Sequence, residues 1–479
     1  MELKLKNVGI ISEAKITLNG LTVVTGANNS GKTTLGRALY SLVSAVEDLK
    51  KKAFLDKLSY TQTTLDNLLS PINWAGIVPI EELVDDTKTT PSLESILTIV
   101  DHAINQLKGA DEAVISKRLT LLKLPQTLAK EFYKQVDRQK SDFIVKLNLL
   151  RDTLLKDPDL VEYANKRIEK KIYAEFFGQI APLSTQTSGS PEFVLSEGDD
   201  DFFRVVLDNS TVKKRYCPSI CPFAGAFFVD DGSIVDELTE KKGHINRFGN
   251  SLKGKRHLPR SGANSKAFLE SFSVESHHDD LLRNLLVTQD TITGELAVEA
   301  QTAVVMNKIG EAVSFGVEWN DGRFVSSDLK IDLRNLAQGS KAFLIIKILL
   351  QNGVLRKDSL LVLDEPETHL HPEWQGLLAE ATVLLVKHLG CTVLLTTHSP
   401  DFVMALDVAS RKNEICEKTK FYISKKMETK MVTFDEVNDE LGSVKMNDVY
   451  LHLSKSFMTL EPQRLELVRK EKEAKESGE

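Results

Sequence analysis

Cysteine is scarce, with four in 479 residues (Cys217, Cys221, Cys391 and Cys416), too few for a disulfide framework. Long apolar runs are missing too. The richest stretches, 342–350 and 359–363, reach at most half of the roughly 18 residues that a membrane-spanning helix needs, so they read as core elements. The N-terminal MELKLKNVGI has no apolar stretch of the kind a signal peptide carries, and with so little cysteine the expected location is the cytoplasm. There is no surplus of positive charge: 61 Lys and Arg stand against 68 Asp and Glu, a net charge of -7. That excludes a chain that coats nucleic acid wholesale, while leaving room for local basic patches. What is present is ordinary globular composition, 42% hydrophobic and 27% charged, which excludes disordered and fibrous chains. The length allows about three packing units.

Strand-like alternation covers Leu3, Leu5 and Val8, then Ala14, Ile16 and Leu18, with Asn19-Gly20 reading as a hairpin-type turn before the apolar run Leu21–Thr25. Immediately after comes Gly26-Ala27-Asn28-Asn29-Ser30-Gly31-Lys32-Thr33-Thr34, and then Leu35, Ala38, Leu39, Leu42 and Val43 at helical spacing. A glycine loop between strand and helix turns consecutive backbone N–H groups toward phosphate oxygens, and the helix dipole adds positive potential there. Lys32 is expected to reach the β and γ phosphates of ATP, and the Thr33 hydroxyl to bind Mg²⁺. By average composition, a chance match has a probability on the order of one or two per cent, and its place after a strand lowers that further.

A second anchor stands 332 residues from Lys32. Leu360-Leu-Val-Leu-Asp364-Glu365 is an apolar strand ending in two carboxylates, and charge at the end of a buried strand needs a partner such as a metal. Asp364 is the expected Mg²⁺ ligand and Glu365 the expected general base for the attacking water. Another apolar strand, Cys391–Thr397, ends at His398, which reads as a γ-phosphate sensor donating a hydrogen bond where charge develops.

Between these motifs, residues 46–177 turn helical and charged, with Ile96, Val100, Ala103, Ile104 and Leu107 on one face. Breaks at Pro71, Pro79, Pro91, Pro125 and Pro158 favour a compact helical lobe over a coiled-coil arm. Glu192–Leu195, Phe202–Leu207, Ala224–Val229 and Phe315–Trp319 read as strands, the last before an Asn320-Asp-Gly322 turn, with a final pair at Lys420–Ser424 and Met431–Phe434. Eight cations (Lys241, Lys242, Arg247, Lys253, Lys255, Arg256, Arg260, Lys266) fall within 26 residues without one Asp or Glu. The segment suits a nucleic-acid backbone or an acidic partner surface, and equally a solvated linker. Cys217 and Cys221 suggest metal, but a zinc site needs about four ligands and only His244 and His257 are near in sequence.

With its P-loop, the signature-like Leu336-Ala-Gln-Gly-Ser-Lys341, the block Leu363-Asp-Glu-Pro-Glu-Thr-His-Leu-His-Pro372 and Thr396-Thr-His-Ser-Pro400, the chain resembles ABC-type ATPase heads of the SMC, RecF and overcoming-lysogeny group. The resemblance implies an α/β fold, a two-lobed P-loop head with mixed sheets, interrupted by a helical insertion. The expected organisation is 1–46 for the first lobe with the P-loop, 47–177 for the insertion and 178–240 for the remaining strands. It continues with 241–279 as a basic linker, 280–425 as the second lobe, and 426–479 as an extension whose charged tail is frayed. The long insertions disfavour a transporter subunit. The runs around DEPETHLHPEWQ and THSPDFVMAL are, more narrowly, similar to PtuA-type ATPases of Septu and some retron anti-phage systems.

That family resemblance implies ATP and Mg²⁺ as cofactors and two copies meeting head to tail, with higher oligomers. Gly339 and Ser340 would then act in trans on the nucleotide, and Thr368–His371 would line the dimer contact, zinc at His369 and His371 being the poor alternative. Ala337 stands where the family commonly has a serine that bonds the γ-phosphate, a departure that leaves the strength of closure and the hydrolysis rate open, while Gly339 still supplies a backbone N–H. Related chains carry a Toprim nuclease after the head, which needs a Glu and an Asp-x-Asp pair, yet the 81 residues after His398 contain no Asp-x-Asp. His277-His278-Asp279 reads as a solvated helix start rather than part of a nuclease. The expected partner is therefore a separate HNH effector nuclease, PtuB-like. The alternative is a RecF- or SMC-like DNA-maintenance ATPase in which the basic segment tracks duplex DNA.

Overall fold

The computed structural model describes residues 1–73, 93–109, 126–181, 189–198, 200–208, 211–216, 221–238, 274–286, 295–313, 317–320, 323–326, 332–438, 445–453, 461–467 and 469. The basic segment 241–266, Cys217, His244, His257, Pro79, Pro91, Phe315 and the Asp321-Gly322 turn lie outside them, as does most of the tail, of which 461–467 is helical. Among the described residues no helix is long and apolar enough to cross a membrane. The chain divides into two units, the first comprising Met1–Glu47, Arg167–His244 and Val274–Glu479. Residues 167–177, expected to close the insertion, thus group with the first unit. The reason is visible at Arg167, whose Nε donates to Ala45 O at 3.0 Å.

In chain order the first unit contains β1 (Glu2–Val8), β2 (Ile11–Thr17), β3 (Leu21–Thr25) and α1 (Lys32–Val46). The second unit holds α2 (Leu49–Asn73), α3 (Leu93–Gly109) and α4 (Gln126–Leu155). Helix α5 (Leu160–Phe176) leads back into the first unit, followed by β4 (Glu192–Glu197), β5 (Asp200–Asp208), β6 (Thr211–Tyr216) and β7 (Gly225–Val229). Then come α6 (His277–Leu286), α7 (Glu295–Ala312), β8 (Val317–Asn320), β9 (Arg323–Ser326), α8 (Gln338–Gln351), β10 (Ser359–Asp364) and α9 (Pro372–Leu389). The last elements are β11 (Thr392–Thr397), α10 (Pro400–Lys412), β12 (Thr419–Lys426), β13 (Val432–Glu436) and α11 (Met446–Leu453).

Eleven strands form one mixed sheet in the order β6-β5-β4-β1-β2-β13-β12-β3-β11-β10-β7, while β8 and β9 pair separately. The fold is α/β. From β12 to β7 every neighbouring pair is parallel. β3 and β10 are buried at every position and β11 at all but its first, the pattern of parallel strands covered on both faces, which explains their unbroken apolar runs. The other flank is antiparallel across β2-β1-β4-β5-β6, and β1 alternates in burial as a strand with one face on the core does.

The Asn19-Gly20 hairpin expected between β2 and β3 does not form, because β13 and β12 lie between those strands. Strand β3 is a central strand paired in parallel on both sides, so the chain must leave the β1–β2 hairpin to reach it. The hairpin instead sits one turn earlier, Val8 facing Ile11 across Gly9 and Ile10, with Gly9 at φ +55°. Strand β6 was not expected from sequence.

In the second unit, Ile96, Val100, Ala103 and Ile104 are buried along with Leu147, Leu150 and Leu154 of α4. Polar ties within it include Lys57 Nζ to Lys156 O at 2.7 Å and Tyr163 OH to Asp56 Oδ2 at 2.6 Å. Pro71 falls in the last turn of α2 rather than ending it earlier, whereas Pro125 directly precedes α4 and Pro158 shortly precedes α5, as expected of a residue tolerated at helix starts.

Candidate functional site

Parallel strands converge their carboxyl ends, and four of them do so here. Pairing of Thr25 with Thr397 and of Asp364 with Thr396 sets the loop after β3, the acidic end of β10 and the end of β11 at one edge, the place where open α/β sheets bind ligands. Strand β7 pairs with β10 through Val229 and Leu363, so Asp230 joins them. A cavity of about 690 Å³ occupies this edge, within the usual size of small-molecule sites.

The glycine loop reaches α1 through Asn29 at φ +58° and Gly31 at φ +79°, the latter capping the helix. At Gly26 a Cβ would meet Ser424 Oγ on β12 and Ser30 Oγ, so glycine lets the loop run close to the neighbouring strand without moving those side chains. Asn28, Asn29, Ser30, Gly31, Lys32, Thr33 and Thr34 line the cavity. Gly26 and Ala27 stand behind it and present carbonyls to Lys32 Nζ at 2.9 and 3.0 Å.

Lys32, 4% exposed, is directed at the Glu365 carboxylate, with Nζ to Oε1 at 3.1 Å. Thr33 Oγ1 donates to Asp364 Oδ2 at 2.6 Å, and Thr396 Oγ1 donates to Oδ1 of the same carboxylate. Burial pushes the Asp364 carboxyl above its usual range, against the hydrogen bonds from Thr33 and Thr396, with the negative charges of Glu365 and Asp230 adding to the rise. A buried carboxylate and a hydroxyl at this spacing are hard oxygen donors that suit Mg²⁺, which normally takes few protein ligands and several waters. A divalent cation between them would also relieve the burial penalty on Asp364. Ser30 Oγ is buried and has no hydrogen-bond partner among the described residues.

Glu365 has φ +51°, a strained region for a residue of its size. Hydrogen bonds fix it there: its N–H donates to Thr396 O at 3.0 Å and to Thr396 Oγ1 at 3.1 Å, and its carbonyl accepts from Thr368 N at 3.1 Å. The turn aims the carboxylate at Lys32 on one side and at His398 on the other, His398 Nδ1 lying 3.2 Å from Oε2. Behind them Glu367, buried and bonded to the Thr397 hydroxyl and to His398 N at 3.3 Å, orients the end of β11. Burial raises the Glu367 carboxyl as well. Ser399 caps α10, accepting from Phe402 N at 3.2 Å.

Gly339 and Ser340 do not line this cavity, although Gln338 and Ala342 beside them do. A Cβ at Gly339 would meet His369 O at 2.9 Å and Leu370 Cδ2 at 2.8 Å, so the start of α8 packs on the segment after Glu367 within the same chain. Ser340 is 8% exposed, and Lys341 is held by Asp236 at 2.7 Å.

Sequence reasoning missed Asp230, yet its signal was the same as that of Asp364: Gly225-Ala-Phe-Phe-Val229 is an apolar strand ending in Asp230-Asp231. Asp230 accepts from His277 Nε2 at 2.9 Å, and His277 Nδ1 faces Glu175 Oε2 at 2.5 Å. The expectation of a solvated helix start at His277 is therefore corrected. His277 does begin α6, but it is 8% exposed, closed in by the Phe228 ring at 4.6 Å and the Tyr40 ring at 6.2 Å. Burial alone would depress its pKa, and the hydrogen bonds and charges of Asp230 and Glu175 outweigh that and raise it to about 9. Asp230 in turn is held low, since its bond to His277 and the charges of His277 and Arg37 exceed the effect of burial. Lys171 completes the cluster, with Nζ 2.5 Å from Asp280 Oδ2 and 3.5 Å from Glu175 Oε1.

Residues 230–403 match a family model described as an AAA ATPase domain, a stretch that includes Asp364, Glu365 and His398. No curated protein matches the chain. Among solved structures, an Smc head bound to the C-winged helix domain of ScpA is 10% identical, with 92% of this chain and 97% of that chain covered and a TM-score of 0.37. An Smc head with coiled coil and joint from Pyrococcus yayanosii is 11% identical, with 94% and 98% covered and a TM-score of 0.30. A head with extended coiled coil from Pyrococcus furiosus, bound to the C-terminal domain of ScpA, is 10% identical, with 97% and 98% covered and a TM-score of 0.26.

Proposed function

We propose that this chain binds Mg·ATP on the loop 26–34 and hydrolyses it. The observation that carries the reading is the meeting of four side chains from two distant segments, Lys32 with Glu365 and Thr33 with Asp364. Lys32 is the group to bind the β and γ phosphates, the loop amides holding the oxygens around it. Thr33 and Asp364 would hold Mg²⁺, which when bound supplies charge neutralisation across the phosphate oxygens. Glu365 would take the proton of the attacking water, and His398 would donate a hydrogen bond toward the departing charge. Thr396 fixes both acids at once, donating to Asp364 and accepting from the Glu365 N–H. The reading is tested by ATP binding and phosphate release in wild type, Lys32→Ala and Glu365→Gln. Binding lost in the first and turnover lost in the second support it.

In this reading two copies close head to tail on ATP, so that the start of α8 with Gly339 and Ser340 caps the partner's nucleotide, and the closed oligomer controls a separate HNH-type effector nuclease in anti-phage defence. The motif resemblance to PtuA-type ATPases supports the role. Sedimentation of Glu365→Gln with and without ATP tests the dimer, and copurification with a nuclease tests the partner. The eight cations of 241–266 favour a second reading, a DNA-maintenance ATPase that binds duplex DNA. Salt-dependent duplex binding, weakened when Lys253, Lys255, Arg256 and Arg260 are changed together to Ala, would select it.

A further inference from the structure

The chain returns from α5 to the sheet through Phe177, which is 81% exposed, the most exposed large apolar side chain among the described residues. Its backbone sits at φ +51°, a region that bulky residues rarely adopt. Such a residue would be free to relax on a loose loop, but this one is held. Gly178 N donates to Tyr173 O at 3.1 Å, Gln179 N to Phe176 O at 2.9 Å, and Gly9 N to Ile180 O at 3.0 Å. Phe176, next to it, is anchored edge-on against Phe193 with ring centroids 6.0 Å apart. The bond from Gly178 N to Tyr173 O is that of a helix C-cap with Phe177 in the left-handed position, so the end of α5 fixes the backbone and holds the aromatic ring out from the helix.

The ring faces a specific place. Phe177 lines the same cavity as Gly31, Lys32 and Thr33, together with Ile10 from the β1–β2 hairpin and Gln179. A nucleoside triphosphate is elongated, with anionic phosphates at one end and a flat, weakly polar base at the other. Phosphates held on the loop leave the base to the rest of the lining, which includes the aromatic ring of Phe177 and the exposed amide of Gln179. Base–aromatic stacking does not depend on which purine is present, whereas an amide can both donate to and accept from a base edge.

We propose that Phe177 is the stacking platform for the purine ring of the bound nucleotide, with Gln179 at the base's edge. The inference rests on the reading of the loop 26–34 as an ATP site and assigns the part of the ligand that the loop does not touch. It also places the base against the residue at which the chain leaves α5.

The test compares ATP with inorganic tripolyphosphate, which carries the phosphates and no base, by calorimetry on the full chain. Wild type is expected to bind ATP more tightly than tripolyphosphate. Phe177→Ala is expected to weaken ATP roughly tenfold, the lower part of the range for one stacked base, and to leave tripolyphosphate within about twofold. Phe177→Trp should keep ATP affinity, and its added fluorescence should be quenched by ATP but not by tripolyphosphate. If ATP binding depends on Lys32 yet is unchanged in Phe177→Ala, or if both ligands weaken together, the stacking assignment is wrong and the phosphate site stands. If Phe177→Ala alters only self-association, the ring covers a second copy instead and the assignment is again overturned. If ATP binds wild type no better than Lys32→Ala, the ATP reading and this inference fall together.

Discussion

Replacing His277 with Gln removes a titratable group from the buried cluster while keeping a polar side chain there. Its pKa of about 9 in the folded protein stands against an ordinary value of about 6.5 in an unfolded chain. A folded pKa above the unfolded one means that the native state holds the proton more tightly, so the stabilisation is complete below about pH 6.5 and fades as the pH rises through about 9. The gap corresponds to roughly 3 kcal/mol at about 1.4 kcal/mol per pH unit. The proton is held by Glu175 at 2.5 Å and Asp230 at 2.9 Å, with Lys171 opposite Glu175 and Arg37 acting on Asp230. Urea denaturation at a series of pH values from 6 to 10, followed by intrinsic fluorescence, reads the effect. Wild type should lose roughly 3 kcal/mol across that range, and His277→Gln should lose much less. A wild-type stability that is flat or rises between pH 6.5 and 9, or an equal loss in the variant, would refute the charged cluster.

Lys32→Ala should reduce ATP affinity by at least about 100-fold in a fluorescent-nucleotide titration, since it removes the charge held at the loop and leaves its carbonyl partners in place. Asp364→Asn should retain nucleotide binding without Mg²⁺ and lose most of the gain that Mg²⁺ confers, read as a titration with and without the ion. Phe228→Ala, which empties a fully buried position against Tyr40 and His277, should lower unfolding free energy by roughly 3–5 kcal/mol, checked by urea denaturation at pH 7. Gly339→Ala should disturb the start of α8, where its Cβ meets His369 O, and lower ATP-dependent dimerisation in sedimentation while leaving ATP binding by the monomer unchanged.

Much of the central sheet was legible because its strands are buried on both faces and so appear as unbroken apolar runs: Leu21–Thr25, Leu360–Leu363 and Thr392–Leu395 all became parallel strands. The same runs located Asp364 and His398 at strand ends, and the glycine pattern located Lys32 and Thr33. What escaped was set by tertiary context. Strand β6, Thr211–Tyr216, carries Lys-Lys-Arg in its sequence and is the last strand at one edge of the sheet, a context in which strand preferences differ from those of central strands. The connection from β2 to β3 could not be read from Asn19-Gly20, because strands from the far end of the chain, β12 and β13, insert between them. His277 looks polar in sequence and becomes a core residue only because Glu175 and Asp230 arrive from elsewhere to match its charge. Phe177 gave no local signal, since an exposed aromatic after a helix is ordinary in sequence and unusual only with its backbone and cavity in view.

In the proposed function two segments more than 300 residues apart, Gly26–Thr34 and Asp364–Glu365, form one hydrolytic ATP site. Single-turnover phosphate release by wild type and Glu365→Gln, each shown by titration to bind Mg·ATP equally, tests it most directly. The site geometry predicts phosphate release by wild type and a rate at least about 100-fold lower in Glu365→Gln, the usual contribution of a positioned general base. Equal rates in the two proteins would contradict it.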